Sequence, residues 1–216
     1  MENKKTAGKL IVFEGIDGSG KSTQIELLRQ TLKERKIPFY VTMEPSERPI
    51  GSMIRQILTG KAHADPKVIA ALFTADRLDH LLNEVNGIAH MVEQGMLVLM
   101  DRYYFSSYAY QSVDAPMDWV IQANALSAQT LRPAVNIFLD VDAEDALERI
   151  TKNRGRTELF EEKERLIQVR ERYMEAFEKL KDAERVEMVD GSREKDEIAK
   201  DVWGIVSALL DRDLKS

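Results

Sequence analysis

The chain has 216 residues, a formal net charge of −6 and no cysteine. Its length indicates one domain, and the lack of cysteine excludes a disulfide framework and a thiolate metal site. Because proteins that coat nucleic acid or anionic membranes are usually basic, neither partner is expected. No apolar run approaches the roughly 18 residues that a membrane span needs, so we expect a cytoplasmic protein.

Short apolar segments alternate with longer amphipathic ones along the chain. Five segments have the composition of buried strands, at 10–14, 38–43, 96–100, 134–139 and 186–189. Six helices are predicted around them. Five are at 22–35, 50–58, 143–151, 161–180 and 194–210, and the sixth starts at 65 and has apolar positions up to 85. Strands that are apolar at every position are buried on both faces, so this alternation predicts an α/β fold with a covered parallel sheet.

Residues 15–22 match the pattern G-x-x-x-x-G-K-[ST] at every fixed position, between a predicted strand and a predicted helix. Glycines allow the backbone N–H groups to turn inward around a phosphate. In such a loop Lys21 reaches the β- and γ-phosphates, and the Ser22 hydroxyl can bind Mg²⁺. The predicted ATP-binding residues are therefore Gly15, Ile16, Asp17, Gly18, Ser19, Gly20, Lys21, Ser22 and Thr23.

Asp101 and Arg102 directly follow the apolar segment 96–100. A carboxylate at the end of a buried strand is where the Mg²⁺ partner of a phosphate loop belongs, and we expect Asp101 to hold the ion directly or through water. An arginine suits bidentate phosphate binding. A strand-end aspartate that caps the next segment and a surface arginine in an ion pair would give the same pattern, so these alternatives remain open.

A second group of residues suits a nucleoside acceptor. Phe73 and Arg77 are four residues apart on one predicted helix face, where a ring can stack on a base and a guanidinium can donate to it. On periodicity alone, Phe73 is more often a core residue. The segment 101–111 is dense in aromatic and hydroxyl side chains, and Ser106, Ser107 and Tyr110 can line a pocket, although a tyrosine-rich packing layer has the same composition.

The order of these motifs resembles that of thymidylate kinases over nearly the whole chain. The resemblance is carried by Gly-x-Asp-Gly-x-Gly-Lys-Ser-Thr at 15–23, Glu-Pro at 44–45, Gly-x-x-Ile-Arg at 51–55, Leu-Phe-x-Ala-x-Arg at 72–77, Asp-Arg-Tyr-x-x-Ser-x-x-Ala-Tyr at 101–110 and Phe-Leu-Asp at 138–140. It implies one three-layer P-loop kinase domain over 1–216, with a five-stranded parallel sheet, helices on both faces and a short lid at about 152–160. It also implies a homodimer packed through helices near residues 50–90.

The resemblance implies roles for the residues on the nucleoside side. Phe73 would stack on thymine, and Arg77 would donate to a thymine carbonyl. Ser106 and Ser107 would contact the base. Tyr110 would lie under the deoxyribose and exclude a 2′-hydroxyl.

On the phosphate side, the resemblance implies that Asp17 accepts a hydrogen bond from the sugar 3′-hydroxyl and that Arg102 holds the acceptor phosphate. Some family members have an arginine where this chain has Gly18. Members without it supply the charge from the lid, so Arg154 and Arg156 are expected to act in catalysis. Arg48, in the loop after the second strand, is interpreted as a surface residue.

The expected reaction transfers the γ-phosphoryl of ATP to dTMP with Mg²⁺, giving dTDP for dTTP synthesis. A phosphate monoester has a second pKa of about 6, so the acceptor is already a dianion and needs no general base. The three histidines, at 63, 80 and 90, lie outside every motif, in agreement with this mechanism. The alternatives are a kinase for another nucleotide or deoxynucleoside, and a non-catalytic ATP-binding protein without an acceptor pocket.

Overall fold

The computed structural model describes residues 8–150 and 156–213. Within them, one five-stranded sheet has the order β2-β3-β1-β4-β5, and every neighbouring pair is parallel. The strands are β1 (Lys9–Glu14), β2 (Phe39–Met43), β3 (Leu97–Asp101), β4 (Val135–Asp140) and β5 (Val186–Asp190). The predicted five-stranded parallel sheet is confirmed.

Helices pack on both faces of this sheet. They are α1 (Lys21–Glu34), α2 (Pro49–Leu58), α3 (Pro66–Leu82), α4 (Ile88–Glu93), α5 (Tyr104–Tyr110), α6 (Met117–Ala123), α7 (Ala125–Thr130), α8 (Ala143–Ile150), α9 (Arg156–Leu180) and α10 (Lys195–Asp213). Alternate residues of β1 enter two separate cores: Ile11 and Phe13 pack with α1 and α10, whereas Leu10 and Val12 pack with α5 and α9. This division is the three-layer arrangement that was expected.

Several helix and strand predictions need correction. The helix predicted from 161 begins at Arg156, so 156–160 of the predicted lid belong to α9, and 151–155 lie outside the described residues. Helices α4 to α7 were not predicted, because six or seven residues are too few to show helical periodicity. The edge strands are not buried on both faces, and Met43 and Met188 are about half exposed.

The face of α3 that packs inward is largely polar. Asp65 caps the helix and Pro66 begins it, as predicted. However, the buried residues include Asp76, Arg77 and His80. The predicted apolar stripe ended at Val85, which lies beyond the helix and is 80% exposed.

The register of β1 and β3 brings the predicted motifs together. Phe13 lies opposite Asp101, and the Arg102 N–H donates to the Phe13 carbonyl at 2.9 Å. The loop that follows β1 therefore lies beside the segment that follows β3. Across the described part of the chain, no helix is long and apolar enough to cross a membrane.

Candidate active site

The phosphate loop connects β1 to α1, with left-handed glycines at its turns. Gly18 and Gly20 have φ values of 80° and 94°, a region that side chains disfavour. A Cβ at Gly18 would also collide with the Ala146 carbonyl oxygen, which explains why this position does not carry a basic side chain. Ile16 and Ser19 are buried within the loop, whereas Thr23 is exposed on α1.

Lys21 lies folded over this loop. Its Nζ donates to the carbonyls of Gly15 at 3.0 Å and Ile16 at 2.9 Å. Burial and, to a smaller extent, the nearby Arg102 charge lower the pKa of Lys21 to about 7, although the charge of Asp101 acts in the opposite direction. An anionic phosphate in the loop would favour the protonated ammonium.

Ser22 and Asp101 form the predicted metal pair. The Ser22 hydroxyl donates to Asp101 Oδ2 at 3.2 Å, while Asp101 Oδ1 is buried and lacks a hydrogen-bond partner. Hydroxyl and carboxylate oxygens suit Mg²⁺, which keeps several waters and binds substrate phosphates. In residues 8–150 and 156–213, no cluster of three or more His, Asp or Glu side chains can hold a metal ion alone. The pair therefore fits Mg²⁺ held jointly with phosphate oxygens and water.

Arg102 joins the phosphate loop to α5. Its Nη2 donates to Asp17 Oδ1 at 2.6 Å and to the Tyr110 hydroxyl at 3.2 Å, and its Nη1 donates to the Gly15 carbonyl at 3.2 Å. The Tyr110 hydroxyl in turn donates to Asp17 Oδ2 at 3.1 Å. Burial tends to raise the pKa of Asp17, but Arg102 and Lys21 outweigh it, so the pKa is lowered.

A cavity of about 460 Å³ opens beside this cluster. Its volume lies within the range of pockets for small ligands. Six of the seven predicted dTMP-binding residues line it: Asp17, Phe73, Arg102, Ser106, Ser107 and Tyr110. Pro45, Leu58 and Ile69 add apolar surface near Phe73 in the same cavity.

Arg77, the seventh of these residues, lies behind the cavity wall. Its guanidinium is buried and pairs with Glu44 at 2.6 Å. It also donates to Ser107 Oγ at 3.1 Å and hydrogen-bonds to Asn124. Glu44 and Ser107 line the cavity while Arg77 itself does not, so its contact with a thymine carbonyl remains a prediction.

Several polar residues in or beside the cavity were not predicted as site residues. Gln111, Asp114 and Arg165 line it, and Gln111 Oε1 is buried without a partner. The spacing of 107, 111 and 114 could have indicated the first two, since it continues one helix face. Glu14 and Tyr173 lie under Arg102. The only feature of the sequence that could have indicated this pair is that Glu14 ends an otherwise apolar strand.

Glu14 is fully buried at the end of β1. Its carboxylate accepts hydrogen bonds from Tyr103 N at 2.9 Å, Ser106 Oγ at 2.6 Å and the Tyr173 hydroxyl at 2.9 Å. Burial raises the pKa of Glu14, and the Ser106 hydrogen bond and the Arg102 charge partly offset this. A carboxylate with this many donors is satisfied despite its burial.

The side chains of the two predicted lid arginines are not described in the structure. Arg154 and the side chain of Arg156 lie outside the described residues. Arg48, interpreted as a surface residue, forms a partly exposed ion pair with Asp79 at 2.5 Å.

Comparison with known proteins matches this chain to one family. The family model described as thymidylate kinase matches residues 13–202. A thymidylate kinase of Symbiobacterium thermophilum is 37% identical over 206 residues, which cover 94% of each chain. A probable thymidylate kinase of Pyrobaculum calidifontis is 39% identical over 201 residues, which cover 93% of this chain and 96% of the relative. A match of this identity along almost the whole length means that the chain belongs to the thymidylate kinase family.

Proposed function

We propose that this chain transfers the γ-phosphoryl of ATP to dTMP, giving ADP and dTDP for dTTP synthesis. The observation that carries the proposal is the cavity that opens directly beside the phosphate loop, with Arg102 contacting both. An acceptor phosphate held by Arg102 would lie against the loop that binds the donor. Family membership supports the same reaction.

The proposed catalysis rests on alignment and charge neutralisation. The attacking atom is an oxygen of the acceptor phosphate, which is already largely ionised at neutral pH. Lys21 and Arg102 neutralise charge as the phosphoryl moves in line between the two nucleotides. We assign further positive charge to Arg154 and Arg156. When Mg²⁺ is bound, Ser22 and Asp101 would hold it, and it would supply charge neutralisation at the donor phosphates.

We assign the nucleoside to the remainder of the cavity. Phe73 stacks on the base, and Ser106 and Ser107 contact it, with Arg77 donating to a thymine carbonyl. Tyr110 packs against the deoxyribose, while Asp17 accepts from the 3′-hydroxyl. This assignment is supported by the fact that Phe73, Tyr110 and both serines line the same cavity.

We also propose a single domain with a lid at about 152–160 that assembles as a homodimer through α2 and α3. Exposed apolar side chains on and beside these helices support the dimer: Met53, Leu58, Val68, Leu82 and Val85. Burying such side chains between two copies would remove apolar surface from water. Sedimentation analysis of the purified chain tests this, and a monomer at micromolar concentration would contradict it.

The reaction is tested by measuring ADP release with ATP, Mg²⁺ and one acceptor at a time. Turnover should be highest with dTMP and lower with dUMP, dCMP, dGMP and AMP. Preference for another acceptor would favour a different nucleotide kinase. If no acceptor turns over and dTMP leaves the melting temperature unchanged, the chain is a non-catalytic ATP-binding protein.

A further inference from the structure

Arg102 is supported from behind by a buried network of Ser106, Glu14 and Tyr173, of which Glu14 and Tyr173 belong to none of the motifs above. Arg102 itself has a φ of 69°, a strained value for a residue with a side chain. Its Nη1 donates to Ser106 Oγ at 3.1 Å and lies 3.5 Å from the Tyr173 hydroxyl. Both of these hydroxyls also contact Glu14. Three elements, β1, α5 and α9, therefore meet at this guanidinium.

The directions of the hydrogen bonds in the network follow from Glu14. An ionised carboxylate only accepts, and each hydroxyl has one proton. The Ser106 and Tyr173 hydroxyls lie 2.6 and 2.9 Å from Glu14 Oε2 and 2.8 Å from each other, so each directs its proton to Glu14 or to the other hydroxyl and not to Arg102. Their lone pairs are then left facing Arg102, which only donates. The carboxylate thus turns both hydroxyls into acceptors for the guanidinium.

Glu14 also connects the two halves of the site. It directly precedes Gly15, whose carbonyl accepts from Arg102 Nη1 at 3.2 Å. It accepts from Tyr103 N and Ser106 N at the start of α5, at 2.9 and 3.3 Å. The carboxylate therefore holds the first turn of α5 against the beginning of the phosphate loop.

We propose that Glu14 and Tyr173 are positioning residues that orient Arg102 toward the acceptor phosphate. This inference rests on the proposed function, because it needs a phosphorylated acceptor in the cavity. Glu14→Gln keeps the shape of the side chain but adds N–H donors, which allows the two hydroxyls to turn their protons toward Arg102. Tyr173→Phe keeps the ring against Phe138, at a centroid distance of 5.0 Å, and removes only the hydroxyl.

A second buried pair of a tyrosine and a glutamate, Tyr104 and Glu184, provides a control for the effect of the substitutions on stability. The Tyr104 hydroxyl donates to Glu184 Oε2 at 2.7 Å, and both residues are buried away from the cavity lining. Glu184→Gln weakens and Tyr104→Phe removes the same kind of bond, and neither residue contacts Arg102. A role in stability alone predicts similar behaviour for the two pairs.

The experiment measures the affinities of dTMP and thymidine by calorimetry for the wild type and all four variants. The ratio of the two dissociation constants isolates the contribution of the 5′-phosphate. Weakening a hydrogen bond to a charged group changes affinity by roughly tenfold or more. Glu14→Gln and Tyr173→Phe should lower the ratio of thymidine Kd to dTMP Kd by about this factor. Their KM for dTMP should rise while the KM for ATP stays constant.

Both control variants should retain the wild-type ratio, even if their melting temperatures fall. If Glu14→Gln and Tyr173→Phe also retain it, the positioning role is wrong and the network serves stability only. Should Glu14→Gln not fold, Tyr173→Phe decides the question alone. A wild type that binds dTMP no more tightly than thymidine would instead overturn the proposed function, and this inference with it.

Discussion

Two substitutions at Tyr110 distinguish the contribution of its ring from that of its hydroxyl. The ring faces the cavity and packs against the Arg102 guanidinium, 4.8 Å from its centroid. The hydroxyl accepts from Asp17 N at 3.0 Å and from Arg102 Nη2 at 3.2 Å. We predict that Tyr110→Ala relaxes the selectivity for deoxyribose, whereas Tyr110→Phe lowers activity without changing selectivity.

The magnitudes follow from these contacts. A 2′-hydroxyl packed against the ring would have no partner, at a cost of about 1–3 kcal/mol. A steric clash with the ring adds to this cost, so the wild type should prefer dTMP over ribothymidine monophosphate by at least about tenfold. Tyr110→Phe leaves the Asp17 N–H without its acceptor, but the Asp17 side chain is 57% exposed, so water replaces part of the loss. A cost of about 1–2 kcal/mol, roughly tenfold in kcat/KM, is expected.

The assay compares kcat/KM for the two nucleotides in the wild type and both variants, with the melting temperature as control. In Tyr110→Ala the ratio of kcat/KM for dTMP to kcat/KM for ribothymidine monophosphate should fall toward one. In Tyr110→Phe this ratio should equal that of the wild type. If Tyr110→Ala loses stability but keeps the wild-type ratio, Tyr110 is a packing residue and the reasoning fails. A narrowed ratio in Tyr110→Phe would assign selectivity to the hydroxyl instead of the ring.

Two further substitutions test other parts of the site, and a third tests a buried carboxyl group away from it. Lys21→Ala should cost at least ~2.7–4 kcal/mol of transition-state stabilisation in the turnover assay while the protein remains folded; near-normal turnover would refute the loop assignment. Replacing Arg154 and Arg156 together by Ala should lower kcat by ~10³–10⁵ with little effect on dTMP binding, and normal turnover would exclude the lid arginines. Burial raises the pKa of Glu184 above its ordinary value of 4.5. Ionisation of this carboxyl group therefore lowers the stability of the folded wild type as the pH rises above about 4.5. Urea denaturation should show Glu184→Gln gaining stability relative to the wild type as the pH rises above about 4.5, and the opposite trend would contradict the shift.

Local patterns in the sequence were sufficient to predict the sheet and the phosphate loop. The loop at 15–22 is contiguous, and its glycines and Lys21 have functions that depend on backbone conformation near them in the chain. Asp101 and Arg102 were also predicted correctly in position, because parallel strands align their carboxyl ends at one edge of the sheet. These features depend on neighbours in sequence or on the general geometry of parallel sheets.

Only the tertiary structure decided which polar residues are buried. Periodicity predicts apolar core positions, and for α3 it identified buried Leu81 but missed the buried polar residues, such as Asp76, which accepts from Ser46 N at 2.7 Å. Arg77 is buried because Glu44 and Asn124 reach it from other segments. A buried charge is stable only where partners are supplied, and partners from distant segments leave no periodic signal in the sequence. Glu14 belongs to the same class, since the donors that satisfy its carboxylate come from α5 and α9 and from the residue before α5.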